Sequence, residues 1–217
     1  MAGMGQPVPK ENLRFAYVME QGMDASCGMA TVATALSLYW QLPTAEAELL
    51  TALGTREGST GADVDGTVSL ASMAAAFEAR SISARAFRLD WVGLQNALTR
   101  GYAPLVVHYD KPDPHFALLL GISGDVAVLA DPARGLETLG RAAFLKRYSG
   151  VAMALAARSR QKDIPLLDAA IQSAMGRRSM LERTVLERLG QEYHRPALPG
   201  LQQTVIQQPK ERKWPGW

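Results

Sequence analysis

The chain has 217 residues and a mass of 23.5 kDa, room for one domain with a sizeable core and an appendage but not for a second full domain. Hydrophobic residues make up 47% and charged residues 20%, which excludes a mainly disordered chain, and no stretch approaches the ~18 uncharged apolar residues of a membrane-spanning helix. A net charge of +2 gives no reason to expect nucleic acid as a partner, and a single cysteine excludes an internal disulfide and a multi-cysteine metal cage.

Met1 to Pro7 show no basic segment leading into an apolar run, so no secretory signal is expected in the chain as it stands, although one already removed is compatible with this. Residues 26–40 are uncharged and alanine-rich and read as a helix buried almost all round, with Asp24 or Ser26 as N-cap. A second helix starts after Pro43-Thr44, with acids in its first turn where the dipole favours them. Gly54 to Gly66 is glycine-rich and reads as a surface loop, a candidate cleft wall; a third helix is expected over Val68 to Arg80.

The period then changes. Residues 82–86 alternate as a strand, and Asp90 can cap a short helix through Leu98. Pro104 to Tyr109, His115 to Ile122 and Val126 to Ala130 are short β-rich runs, the last two joined by a turn at Ser123-Gly124-Asp125. A helix over Arg141 to Tyr148 and a strand over Val151 to Ala156 follow. Helices first and closely spaced strands later predict an α+β architecture with an antiparallel sheet.

Charge divides the chain at Ala157: 12 basic and 15 acidic groups up to that point, then 11 basic and 6 acidic. Asp163-Ile-Pro165 opens an amphipathic helix carrying Leu167, Ile171 and Ala174. Gly176-Arg-Arg is expected to interrupt it, and the capping box Ser179-Met-Leu-Glu182 to restart it. Residues 163–193 either pack on their own domain or hold a second subunit or a secretion partner; residues from Arg195 on read as an irregular tail.

The sequence has no phosphate-binding glycine loop, dinucleotide fingerprint, Gly-x-Ser-x-Gly elbow or His-Glu-x-x-His motif, so no cofactor and no metal site are expected. What remains is Cys27, at an expected helix start and followed by Gly28, where backbone N–H groups can stabilise a thiolate. Its plain alternative is a small buried hydrophobe. A thiolate nucleophile needs an imidazole partner. Of the three histidines, His194 is poorly placed and His108 lies inside a strand, whereas His115 starts a strand at a loop edge. Asp131 ends the neighbouring strand and could orient that imidazole, or merely begin an Asp-Pro turn. Gln21, six residues before the cysteine, could donate to an oxyanion alongside the Cys27 N–H.

The order Gln21…Cys27-Gly28…His115-Phe116…Asp131-Pro132, followed by Phe144 to Val151, resembles the bacteriocin-processing double-glycine leader peptidases, family thirty-nine of the cysteine peptidases. The similarity covers roughly residues 15 to 157. It implies a papain-like fold, with a helical half packed on the antiparallel sheet. It also implies Cys27 as nucleophile, His115 as general base and acid, Asp131 as orienter and Gln21 in the oxyanion hole. The expected division is an extension over 1–14, a peptidase domain over 15–157, a helical appendage over 158–194 and a tail over 195–217. Two departures stand out: Ser26 where many members have an acidic residue, and no transporter segment after the peptidase part. The resemblance therefore implies a stand-alone member serving peptide export or functional-amyloid secretion, with a peptide or protein substrate and the periplasm, or else the cytoplasm, as its compartment. Rival readings are a non-catalytic peptide-binding module and an acyl-transfer enzyme on the same scaffold.

Overall fold

Glycine at the first central position of a two-residue loop bends two apolar strands back on each other, and the sheet grows from that hairpin. In the computed structural model, which describes residues 14–22, 26–54, 68–156 and 164–193, Gly124 has φ +57° and joins β3 (His115–Ser123) to β4 (Val126–Asp131). Around this pair runs a six-stranded sheet in the order β1-β6-β2-β3-β4-β5, every neighbouring pair antiparallel. Its other members are β1 (Ser83–Arg88), β2 (Leu105–Tyr109), β5 (Gly135–Gly140) and β6 (Tyr148–Ala156). The expected α+β class with an antiparallel sheet is what the chain forms.

The strand β5 was not expected from the sequence. Only four residues separate its two bounding glycines, and it carries a single β-branched residue, Thr138, so it pairs because β4 offers it an edge.

Helices cover both faces. On one lie α1 (Cys27–Thr34, continued by a π-helical stretch Ala35–Tyr39), α2 (Glu46–Gly54) and α3 (Leu70–Glu78). The Ser69 hydroxyl caps α3 by accepting from the Ser72 N–H, and Arg80 pairs with Glu48 to tie α3 to α2. Met29, Val32 and Leu36 meet Phe116, Leu118, Val128 and Ala130 of the sheet in the larger core. On the opposite face lie α4 (Trp91–Ala97) and α5 (Arg141–Arg147). The Asp90 carboxylate caps α4 by accepting from the Gly93 N–H at 2.8 Å. Trp91, Leu94 and Phe144 close the second core over Val107, Ala117, Leu119 and Leu129.

The last helix, α6 (Pro165–Tyr193), is continuous over 29 residues. The expected break at Gly176 does not occur. A glycine inside a helix costs about 1 kcal/mol, and flanking helix formers carry the ladder through it. The chain divides into two units between Ser179 and Met180. In the first, Ala170 and Ala174 are buried in the larger core, Ile171 lies against Gly121, and Arg177 donates to the Leu136 carbonyl at 3.2 Å. In the second, Met180, Leu181, Val185 and Leu186 are exposed. The loop expected between Gly54 and Gly66 lies outside the described residues apart from Gly54 itself, which ends α2, and the tail after Arg195 lies outside them entirely. No described helix is long and apolar enough to cross a membrane.

Candidate active site

Cys27 is the first residue of α1, with Ser26 at the N-cap position; Asp24, the other candidate cap, lies outside the described residues. The helix start is pinned to the sheet by one side chain. The Thr31 hydroxyl lies 2.7 Å from the Cys27 carbonyl and 3.2 Å from that of Phe116, and can donate to both. Gly28 permits a close approach from the other side, since a Cβ there would sit 2.6 Å from Cγ1 and 2.9 Å from Cβ of Val68. The space beside the cysteine is filled by a side chain rather than by another stretch of backbone.

His115 is the first residue of β3 and hydrogen-bonds the Cys27 thiol. Its Nε2 lies 2.8 Å from Oδ1 of Asp131, so Nδ1 is the ring nitrogen left to face sulfur. Asp131 is fully buried at the end of β4. Its Oδ1 also accepts the backbone N–H of Ala133 at 2.8 Å and of Arg134 at 3.2 Å, while the Arg134 guanidinium lies 3.5 Å from Oδ2. The carboxylate is thus compensated on every side and held in one orientation. Behind the imidazole the Tyr109 ring stacks at 6.3 Å and 14° between planes, on its cross-strand neighbour.

A β-bulge brings Asp131 to the histidine's side of the sheet. Near the turn Gly121 pairs with Val128, but beyond it Leu119 pairs with Leu129 and Leu118 with Ala130, so Leu120 is the extra residue. Extending that register one step sets Asp131 opposite Ala117, on the same face as His115. Without the extra residue Asp131 would stand opposite Leu118 and point to the other face.

The electrostatics of the pair run in opposite directions. Burial pushes the Cys27 thiol up, but hydrogen bonds from His115 and from the Phe116 and Gly28 backbones, with the imidazolium charge, outweigh it and hold the thiol below its ordinary value. Burial alone would lower His115; hydrogen bonds to Asp131 and Cys27, with both negative charges, raise it to about 9. A lowered thiol beside a raised imidazole shifts the pair toward thiolate and imidazolium.

Gln21 reaches the same end of the sheet by backbone: its N–H donates to the Pro132 carbonyl at 3.1 Å. The flanking residues are anchored too, Met19 N–H on Thr34 Oγ1 at 3.1 Å and Gly22 N–H on Glu46 at 2.9 Å. The Gln21 side-chain oxygen is buried without a hydrogen-bond partner among the described residues. Cys27, His115 and Asp131 therefore form one hydrogen-bonded series, and Gln21 is tied to the turn that follows Asp131. No described group of His, Cys, Asp and Glu could hold a metal ion. Tyr109 has no mark of its own among the residues around it; only the register of β2 and β3 sets its ring beside His115.

A cysteine, a histidine and an aspartate meet at one end of this sheet, and comparison with known proteins places the chain in a family. Residues 16–160 match the Peptidase C39 family, and the chain belongs to that family. It is 25% identical over 154 residues to a Pseudomonas aeruginosa protein named "Probable functional amyloid protease FapD", covering 71% of this chain and 66% of that one. A Pseudomonas fluorescens protein of the same name is 26% identical over 155 residues, with 71% and 67% covered. The chain thus spans about two thirds of the length of the curated relatives it matches. Among solved structures, a double glycine motif protease from an AMS/PCAT transporter, in complex with the leader peptide, superposes with a TM-score of 0.53 and 22% identity, covering 64% of this chain and 89% of that one. The peptidase domain of Streptococcus ComA, a bi-functional ABC transporter involved in a quorum-sensing pathway, gives 0.54 and 18%, covering 65% and 98%. These likenesses are of fold.

Proposed function

We propose that the chain is a cysteine peptidase that cuts an extended polypeptide after Gly-Gly, in the maturation or secretion of an exported, amyloid-forming or similar protein. The observation that carries this reading is the hydrogen-bonded series Cys27–His115–Asp131 with its oppositely displaced thiol and imidazole. The Cys27 thiolate attacks the scissile carbonyl carbon, and the developing oxyanion meets the Cys27 N–H and the Gln21 amide. The His115 imidazolium gives its proton to the departing amine as the C–N bond breaks, leaving a thioester on sulfur. The now neutral imidazole takes a proton from water, which attacks the thioester and frees the acid. Asp131 keeps Nε2 occupied, so the proton moves through Nδ1. The relatives named as amyloid proteases and the neighbour solved with a leader peptide support this choice of substrate.

The test is incubation with a peptide containing an internal Gly-Gly, followed by mass spectrometry. Cleavage after the second glycine is expected, with a thioester on Cys27 trapped at acid pH and both lost in Cys27→Ala. Intact peptide, or equal cleavage by Cys27→Ala, would contradict the reading.

A further inference from the structure

A Gly-Gly segment offers an enzyme little besides its backbone. A site selective for it must meet peptide N–H and C=O groups with fixed side-chain partners, and on the proposed reading such a partner should lie next to the thiolate. His108 lies across the strand pair from Phe116, whose backbone touches the Cys27 thiol. It pairs with Phe116 across β2 and β3 and so shares the face of the sheet that carries α1 and Cys27. Its ring lies 4.9 Å from the Phe116 ring, tilted by 48°, and the Phe116 backbone is itself hydrogen-bonded to the Cys27 thiol.

The ring is held rather than loose. Nδ1 lies 2.9 Å from the hydroxyl of Ser149 on β6, and that oxygen accepts the Val151 N–H at 3.3 Å. The strand pairing between β2 and β6 slips between Val107 and Tyr109, and Ser149 fills the gap opposite His108. Nε2, in contrast, has no hydrogen-bond partner among the described residues, and it is not one of the buried orphan atoms. It is therefore open to solvent on a half-buried side chain. Burial, together with the positive charge on His115, keeps His108 below its ordinary value despite nearby Asp110. At neutral pH it is an uncharged imidazole with one pinned and one free nitrogen, suited to a neutral amide rather than to a carboxylate or phosphate.

We propose that His108 is a substrate-binding residue, with Ser149 positioning it. Its free Nε2 hydrogen-bonds a backbone group of the bound peptide next to the scissile bond, and so contributes to selection of a segment without side chains. This rests on the peptidase reading above.

The test compares two alkylating probes of Cys27 in the full-length chain at pH 7: iodoacetamide, which has no peptide backbone, and acetyl-Leu-Ala-Gly-Gly chloromethyl ketone, which has one. In His108→Ala, loss of one hydrogen bond is expected to slow the peptidyl reagent about tenfold relative to wild type. Iodoacetamide should react within about twofold of wild type, because the thiolate is made by His115 and Asp131 and not by His108. His108→Gln, which keeps an amide able to donate and accept, should recover most of the peptidyl rate. Unchanged peptidyl rates would overturn the proposal. So would a parallel fall with both reagents, which means His108 only packs on Phe116, and so would a glutamine variant no faster than the alanine one. A wild-type thiol inert to both reagents at pH 7 would instead remove the peptidase reading, and this proposal with it.

Discussion

The Cys27 thiol is held below its ordinary value only because several separate donors converge on one sulfur. The Gly28 N–H comes from the helix start, the Phe116 N–H from the strand opposite, and the imidazolium from His115. None of these would suffice against burial alone, and the imidazolium in turn depends on Asp131. Asp131→Asn tests that dependence. The amide keeps the volume but removes the charge that raises His115, so the imidazole should lose its proton well below about 9. The alkaline limb of the activity profile is expected to move to lower pH, and kcat/KM to fall by about 10²- to 10⁴-fold. A variant with the wild-type limb and rate would show that the carboxylate is not what holds the proton. Cys27, His115 and Asp131 stood out as candidates because each is at the boundary of an element, where helix-start and strand-end signals are strong, whereas Gln21 lies outside any helix or strand and was offered only by its spacing from Cys27. His108 was not, since a histidine in mid-strand shows from sequence neither its face nor its partners.

At the scale of elements, capping and turn chemistry could be read directly. Asp90 caps α4, and Gly124 turns the β3–β4 hairpin, both from local residue types. The bulge at Leu120 was hard to read, because its one mark is Gly121, a single glycine at the end of the apolar run Phe116-Ala-Leu-Leu-Leu120. Yet it decides the site: counting residues from the turn alone puts Asp131 on the wrong face. The strand β5 was hidden for the opposite reason, since two glycines and a glutamate weaken its own β-propensity while the edge of β4 supplies the pairing. Helix α6 runs through Gly176 because a single glycine is a cost that neighbouring residues offset, not a stop.

For the molecule as a whole, the site links pH to stability. In the unfolded chain the thiol and the imidazole have ordinary values of 9.0 and 6.5, so between these the pair holds one proton, on sulfur. In the folded chain the imidazole keeps its proton up to about 9, and the thiol releases its own somewhere below 9.0. The raised imidazole contributes stability that is whole below 6.5 and is lost as pH rises toward about 9, while the lowered thiol contributes stability that is present above 9.0 and is lost as pH falls through its folded value. The melting temperature of wild type minus that of Cys27→Ser/His115→Asn is therefore expected to fall as pH rises above 6.5 until the folded thiol ionises, and to level off from there. A difference that climbs steadily with pH would contradict the raised imidazole.

The most direct measurement of the central claim is the rate of Cys27 carboxamidomethylation by iodoacetamide from pH 4 to 10, in wild type and in His115→Ala. The thiolate–imidazolium pair predicts fast labelling of wild type well below the ordinary thiol range of about 8.5, and a shift of the whole profile to higher pH when the imidazole is removed. Two superimposable profiles, both rising only near pH 8.5, would show an unactivated cysteine and contradict the account.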